Sequence, residues 1–263
     1  MTALSILGVS GSIGRQALDV CRQHQSRLRP LALAAGKDWQ ALAQAAWEWR
    51  PAYIAIGDPA AYPELKAACA GLDLTINAGA DAVAEAAAYP DSSLTLLAIS
   101  GMAALAPLLA ALAAGKDIAL ANKEALAAAG ELVMAQAREQ GLKLYPVDSE
   151  HSAIWQCLAG GSSDGVERLI LTASGGAFRD WPLERMGEIT PELALQHPNW
   201  RMGPKITVDC ATMVNKGLEI IEAHWLFGMA YENIDVLLHP ESLVHSLVGF
   251  KDGMGNIETM SAI

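Results

Sequence analysis

The chain has 263 residues, 52% of them hydrophobic and 18% charged, which supports one large domain or two modest ones and excludes a disordered chain or coiled coil. Its net charge of −11, with no basic cluster to offset it, argues against nucleic acid and anionic membrane as partners. The four cysteines (Cys21, Cys69, Cys157, Cys210) lack the close pairing of zinc ligands, and a chain this large does not need disulfides, so a reducing cytoplasm is the expected location.

The first strand-like run, Leu4-Ser5-Ile6-Leu7, begins almost at Met1, where a targeting leader is not expected. The longest apolar stretch, Met102 to Ala114, is too short to span a membrane and is broken by Pro107. Residues 1–150 hold 39 alanines and residues 151–263 only 9, so two regions with different packing are expected, 1–148 and 149–263. In the first, short apolar runs near 3–9, 30–35, 52–57, 73–77, 94–99, 117–121 and 143–147 alternate with Ala-rich stretches. That alternation predicts an α/β fold, a Rossmann-like doubly wound parallel sheet. The second predicts an α+β domain, with strands near 167–173, 205–209, 234–239 and 243–250, the last two paired with each other, and a helix from about 211 to 227. The tail reads as a turn at 251–256 and the start of a further strand over Ile257 to Ile263.

Ligands of such sheets bind beyond the carboxyl ends of the strands, so the residues there are the first candidates for chemistry. Gly8-Val9-Ser10-Gly11-Ser12-Ile13-Gly14 follows the first strand and opens a helix. It is either a tight structural turn or a cradle for a dinucleotide pyrophosphate. Gly36-Lys37-Asp38 ends the second strand; a cation there favours a 2′-phosphate and hence NADP, while Asp38 weakens that preference and a solvated lysine is the plainer alternative. In Ala121-Asn122-Lys123-Glu124, Asn122 and Glu124 suit a helix start, but Lys123 is a cation at the positive end of a helix, more easily explained by an anionic ligand. In Asp148-Ser149-Glu150 two carboxylates stand two residues apart; an extended segment would project both to one side for Mg2+ or Mn2+, and the alternative is an acidic helix start.

In the second region Thr172-Ala173-Ser174-Gly175-Gly176 is an anion-binding concavity or a plain turn. The segment from His197 to Pro204 carries Trp200, either a hydrophobic cover on a closing loop or a core residue. At helical spacing Asn215, Glu219 and Glu222 share a face while Leu218, Ile221, Trp225 and Leu226 form the expected core stripe, so Glu219 could join Asp148 and Glu150, and Glu222 reads as solvated.

Taken in order, Gly8 to Gly14, Ala121 to Glu124, Val147 to His151, Ser174 to Gly176, His197 to Trp200 and Asn215 to Glu219 resemble the 1-deoxy-D-xylulose 5-phosphate reductoisomerase family across nearly the whole chain. The resemblance implies an NADPH- and divalent-metal-dependent enzyme of non-mevalonate isoprenoid biosynthesis. It would rearrange a phosphorylated ketose and reduce it to 2-C-methyl-D-erythritol 4-phosphate, as a homodimer. Carried over by motif, Ser10, Gly11, Ser12, Ile13, Gly36, Lys37, Asp38, Asn122, Glu124 and Gly203 would bind NADPH, and Asp148, Glu150 and Glu219 the Mg2+ or Mn2+. Lys123, Ser149, Glu150, Ser174, His197, Cys210, Asn215, Lys216 and Glu219 would contact substrate; of all these, Lys123, Asp148, Glu150, Glu219 and His197 would be the catalytic set.

Three residues depart from the family pattern: Cys210 where a serine is expected, Asp38 where Asn is usual, and Ser10 for Thr. Cys210 is a weaker donor to a phosphate, and the Asp38 carboxylate would repel a 2′-phosphate. Family chains continue into a C-terminal helical domain that a chain ending at Ile263 is expected to lack. The competing expectations are a ligand-binding but inactive form, and another NADP-dependent oxidoreductase with a structural metal.

Overall fold

The first strand, β1 (Thr2–Leu7), has Leu4, Ser5, Ile6 and Leu7 all buried, the mark of a parallel strand covered on both faces. In a computed structural model that describes residues 1–159, 165–200 and 202–258, it is the centre of a seven-stranded sheet. After it come α1 (Ser12–Gln23), β2 (Leu28–Ala35), α2 (Trp39–Trp49), β3 (Tyr53–Ile56), α3 (Tyr62–Ala68), β4 (Thr75–Ala78), α4 (Ala80–Ala87), β5 (Leu94–Leu97), α5 (Leu105–Ala113), β6 (Asp117–Leu120), α6 (Lys123–Gln140) and β7 (Leu144–Pro146).

The spatial order is β4-β3-β2-β1-β5-β6-β7, and the pairs from β4 through β6 are parallel. Strand order therefore reverses beside β1, and the loop that leaves β1 sits at the switch point where doubly wound sheets open a crevice. Ser5 and Lys116, buried in this unit, find their partners within it. Ser5 Oγ donates to Ser92 Oγ at 2.9 Å, and buried Lys116 donates from Nζ to the Pro90 and Ser92 carbonyls, each at 2.7 Å.

The chain divides into two compact units, Met1–Tyr145 and the part from Pro146 onward. The second contains α7 (Ser149–Leu158), β8 (Val166–Ala173), α8 (Pro191–Ala194), α9 (Pro204–Ala211), α10 (Val214–Phe227), β9 (Ile234–Leu238), β10 (Ser246–Phe250) and β11 (Gly255–Glu258). Its sheet runs β11-β10-β8-β9. Ile154 and Cys157 of α7 and Ala223 of α10 share a core with Leu169, Leu171, Ile234 and Val248 of the strands.

Three expectations for this unit need correction. Residues 205–209 are helical, not a strand: Pro204 stands in the first turn, Lys205 and Asp209 pair at 2.6 Å one turn apart, and the Thr207 hydroxyl donates to the Gly203 carbonyl. That local helix chemistry outweighs the β-branched run Ile206-Thr207-Val208. The helix expected from 211 begins at Val214, because Met213 takes a left-handed conformation (φ 62°) that separates α9 from α10. Finally, β9 and β10 do not pair with each other; β8 lies between them, parallel to β9 and antiparallel to β10. Of the expected terminal strand, 257 and 258 belong to β11 and 259–263 lie outside the described residues, as does Arg201 of the expected loop. No helix among the described residues is long and apolar enough to cross a membrane.

Candidate active site

Asp148 is the N-cap of α7 (φ −54°, ψ 136°) and Glu150 lies in its first turn. The segment is thus not the extended stretch expected from the two-residue spacing. The bend from cap into helix, rather than strand alternation, brings the two carboxylates to the same place, and α10 supplies the third. One oxygen each from Asp148, Glu150 and Glu219 lies within 4.8 Å of the others.

Around this cluster the polar groups are tightly tied. Lys216 Nζ, on a side chain 6% exposed, lies 3.2 Å from Glu150 Oε1 and also pairs with Glu219 Oε2. Asn215 Nδ2 donates to Glu219 Oε1 at 2.5 Å, and Ser149 Oγ donates to Glu150 Oε2 at 2.6 Å. Burial, then the neighbouring Glu219 and Asp148 carboxylates, push Glu150 up to about 7, against the opposing pull of Lys216 and Ser149. Burial lowers the affinity of His151 for a proton, but Glu222 and Asp148 outweigh it and hold the ring up at about 9. Four carboxylates (Asp148, Glu150, Glu219, Glu222) thus face two cationic groups, Lys216 and His151. With Glu150 ionised, the surplus of two negative charges, carried on hard oxygen donors, fits a divalent ion such as Mg2+ or Mn2+.

The helix that carries Glu219 packs differently from the expectation. Its buried residues are Asn215, Lys216, Glu219, Glu222 and Ala223, whereas Leu218, Ile221, Trp225 and Leu226 are half-buried. Glu222, expected on a solvated face, is 1% exposed. The polar face turns inward because each of its charges meets an opposite one from α7 or from its own helix, which lowers the desolvation penalty that would otherwise drive it outward.

A second cluster gathers around His197. Its Nδ1 accepts from the backbone N–H groups of Asn199 (3.2 Å) and Trp200 (3.0 Å), so the ring proton resides on Nε2, which donates to Ser174 Oγ at 3.1 Å. Burial lowers the His197 pKa, in keeping with this neutral tautomer. Asn199 Nδ2 ties the same loop to the Pro240 carbonyl at 2.5 Å and to Ser242 Oγ at 3.3 Å. Trp200 is 37% exposed and is not a core residue. Gly175 and Gly176 both have positive φ, and a Cβ on Gly176 would lie 2.2 Å from the Cys210 carbonyl, so the Ser174 turn rests directly on the end of α9. Cys210 carries a partly exposed thiol that is not in a disulfide.

In the first unit, Gly8 has φ 93°, and a Cβ there would sit 2.4 Å from the Ala98 carbonyl oxygen; one on Gly14 would sit 2.2 Å from that of Gly8. Only glycine lets α1 begin this close to the end of β1, and Ser10, Gly11, Ser12 and Ile13 of this turn are exposed or half-buried. Lys37 and Gly36 are exposed, whereas Asp38 Oδ1 accepts from Ala41 N at 3.0 Å as the cap of α2. Asn122 caps α6 through Ala125 N and donates to the Ile99 and Gly101 carbonyls and to Glu124, so its side chain ties the β5 loop to the helix start. Lys123 is buried in the first turn of α6. Gly203 belongs to the second unit, as the N-cap of α9.

Two residues, His151 and His245, were not singled out from sequence, and Glu222 was expected on a solvated face. His151 and Glu222 border the carboxylate cluster, and His245 is buried where burial, and then the charge of Lys216, lower its pKa. His151 adjoins Glu150, and Glu222 lies one turn from Glu219, so spacing from the carboxylates was the available signal.

Residues 4–130 match the family described as 1-deoxy-D-xylulose 5-phosphate reductoisomerase, and residues 144–227 match the C-terminal domain of the same enzyme. A 1-deoxy-D-xylulose 5-phosphate reductoisomerase from Thermosynechococcus vestitus is 52% identical over 95% of this chain, which covers 61% of the relative. One from Geobacillus sp. is 51% identical over 96% of this chain and 66% of its own length. Among solved structures, the Zymomonas mobilis enzyme in complex with NADPH superposes with a TM-score of 0.92 at 44% identity, covering 99% of this chain and 67% of that one. A reductoisomerase in complex with NADPH, fosmidomycin and magnesium gives 0.93 at 42% identity, over 98% and 66%. The chain spans about three fifths to two thirds of the length of these relatives.

Proposed function

The chain belongs to the 1-deoxy-D-xylulose 5-phosphate reductoisomerase family, and on that premise we propose that it binds NADPH and a divalent cation and converts 1-deoxy-D-xylulose 5-phosphate to 2-C-methyl-D-erythritol 4-phosphate. The observation that carries the reading is the carboxylate cluster of Asp148, Glu150 and Glu219 with Lys216 seated against it. In this reading those three carboxylates hold Mg2+ or Mn2+, which supplies Lewis-acid polarisation of the substrate carbonyl and its neighbouring hydroxyl.

The chain's own side chains do the rest. Ser174, His197, Asn215, Lys216 and Cys210 grip the phosphate, with the Nε2–H tautomer of His197 as a donor; Ser149 hydrogen-bonds the sugar portion. Binding energy from that remote phosphate would close the loop carrying Trp200 and exclude water before reduction. Gly8 to Gly14 and the α1 N-terminus cradle the pyrophosphate, with Gly36, Lys37 and Asp38 beyond β2, Asn122 and Glu124 at α6, and Gly203 completing the cofactor set. Lys123, a buried cation at the head of α6, is assigned to an anionic group of the ligands. We place the protein in the cytoplasm as a homodimer; the acidic charge and four cysteines outside any disulfide support the compartment, and the family supports the dimer.

The test is loss of reduced-nicotinamide absorbance in a mixture of the chain, NADPH, Mn2+ and 1-deoxy-D-xylulose 5-phosphate. Turnover should exceed that of a Glu150→Gln control and be blocked by fosmidomycin. Turnover no greater than the control would overturn catalysis by this chain, and reduction of unphosphorylated carbonyls indifferent to fosmidomycin would favour a different oxidoreductase.

A further inference from the structure

The His151 ring is 0% exposed and touches two of the three candidate cation ligands from opposite edges. Its Nδ1 lies 3.0 Å from Asp148 Oδ1, and its Nε2 lies 2.9 Å from the main-chain carbonyl of Glu219, 68 residues away in sequence. The Phe227 ring runs nearly parallel to it, with centroids 6.3 Å apart and planes at 10°. Glu222 adds a third contact: its Oε2 is 3.5 Å from the same Nδ1, on a side chain 1% exposed and one turn along α10 from Glu219.

Burying a carboxylate is unfavourable unless an oppositely charged or donating group meets it, and the group met by Glu222 is the one that grips Asp148. Two carboxylates on one ring edge and a carbonyl on the other fix both the plane and the rotation of the imidazole. We propose that His151 and Glu222 are positioning residues of the cation site, a brace that sets the Asp148 carboxylate and the Glu219 segment of α10 at the separation a divalent ion requires. The proposal rests on the reading of Asp148, Glu150 and Glu219 as the cation ligands. The brace acts outside the coordinating oxygens, where partners of metal ligands fix their orientation and their loss weakens metal affinity about 10- to 100-fold.

The test uses the full chain stripped with a chelator and titrated with Mn2+, following the electron paramagnetic resonance signal of free Mn2+. The proteins are the natural chain, Glu222→Gln, His151→Asn, their double variant, and Glu219→Gln as a ligand control. The expected result is one Mn2+ per chain, a Kd about 10- to 100-fold weaker in each single variant, and a double variant within about threefold of the weaker single because the two residues act as one unit. The rise in melting temperature on adding Mn2+ should shrink in parallel. A purely structural role would lower the metal-free melting temperature and leave the Mn2+ Kd unchanged, which overturns the proposal. Two Mn2+ per chain, one lost in His151→Asn, would also overturn it, because His151 would then be a ligand. If Glu219→Gln itself binds Mn2+ like the natural chain, the cation-site reading fails; if Glu219→Gln loses Mn2+ while Glu222→Gln keeps it, only the brace fails. Glu222→Gln preserves shape and decides the matter should His151→Asn not fold.

Discussion

Replacing Lys216 with Met tests the electrostatics of the carboxylate cluster directly. The ammonium is almost fully buried between Glu150 and Glu219, and removing one partner of a buried pair typically costs about 3–5 kcal/mol. Here the cost is limited by Glu150, already raised to about 7. At about pH 8 the variant can relieve the repulsion by protonating Glu150, which costs about 1.4 kcal/mol for each pH unit above the pKa. Adding about 1–3 kcal/mol for the lost charged hydrogen bonds gives a destabilisation of about 3 kcal/mol. At about pH 6 Glu150 is protonated in most folded molecules, so the first contribution vanishes and about 2 kcal/mol remains. Mn2+ should restore most of the loss by taking over the neutralising role. Urea unfolding followed by tryptophan fluorescence, with and without chelator at both pH values, measures all of this. An equal loss at the two pH values, or no rescue by Mn2+, would refute the reasoning.

The natural chain without metal should itself respond to pH. A carboxyl raised above its unfolded value makes a contribution that is fully present below about 4.5 and lost as pH rises through about 7, about 3 kcal/mol in all; chelator-treated protein that gains stability over that window would contradict it. Mn2+ affinity should run the opposite way, tightening up to about tenfold per pH unit below 7 and levelling above it, as the ion displaces the proton on Glu150. Gly14→Ala sets a Cβ 2.2 Å from the Gly8 carbonyl oxygen, so it should weaken NADPH binding by at least about tenfold and lower stability by about 1–3 kcal/mol; unchanged NADPH fluorescence titration would exclude this loop as the cradle. Lys116→Met leaves the Pro90 and Ser92 carbonyls without their donor and should cost about 2 kcal/mol in urea unfolding, with NADPH affinity unaltered.

The sheet of the first unit was open to reading because its strands are short apolar runs punctuated by Gly, Pro and Asp, and its helices are rich in Ala. Both signals are local. The glycine loop was readable for the same reason, since a tight turn demands Gly8 wherever the rest of the chain goes. What local signals do not carry is competition between segments. Ile206-Thr207-Val208 has strand composition, but Pro204, the Lys205–Asp209 pair and the packing of the Ser174 turn on Cys210 make it a helix. The place of β8 between β9 and β10 is likewise a choice among pairings that alternation alone leaves equivalent.

The sequence by itself determined the alternation of strands and helices, the glycine-lined turn after β1, and which carboxylates stood in suspicious positions. Only the tertiary structure decided that α10 turns its charged face inward and that Glu222 is buried against His151. The physical reason is that hydrophobic periodicity scores each residue against water, whereas the burial of a charge depends on its partner. For Glu219 and Glu222 those partners include Glu150 and His151, brought from α7 some seventy residues away.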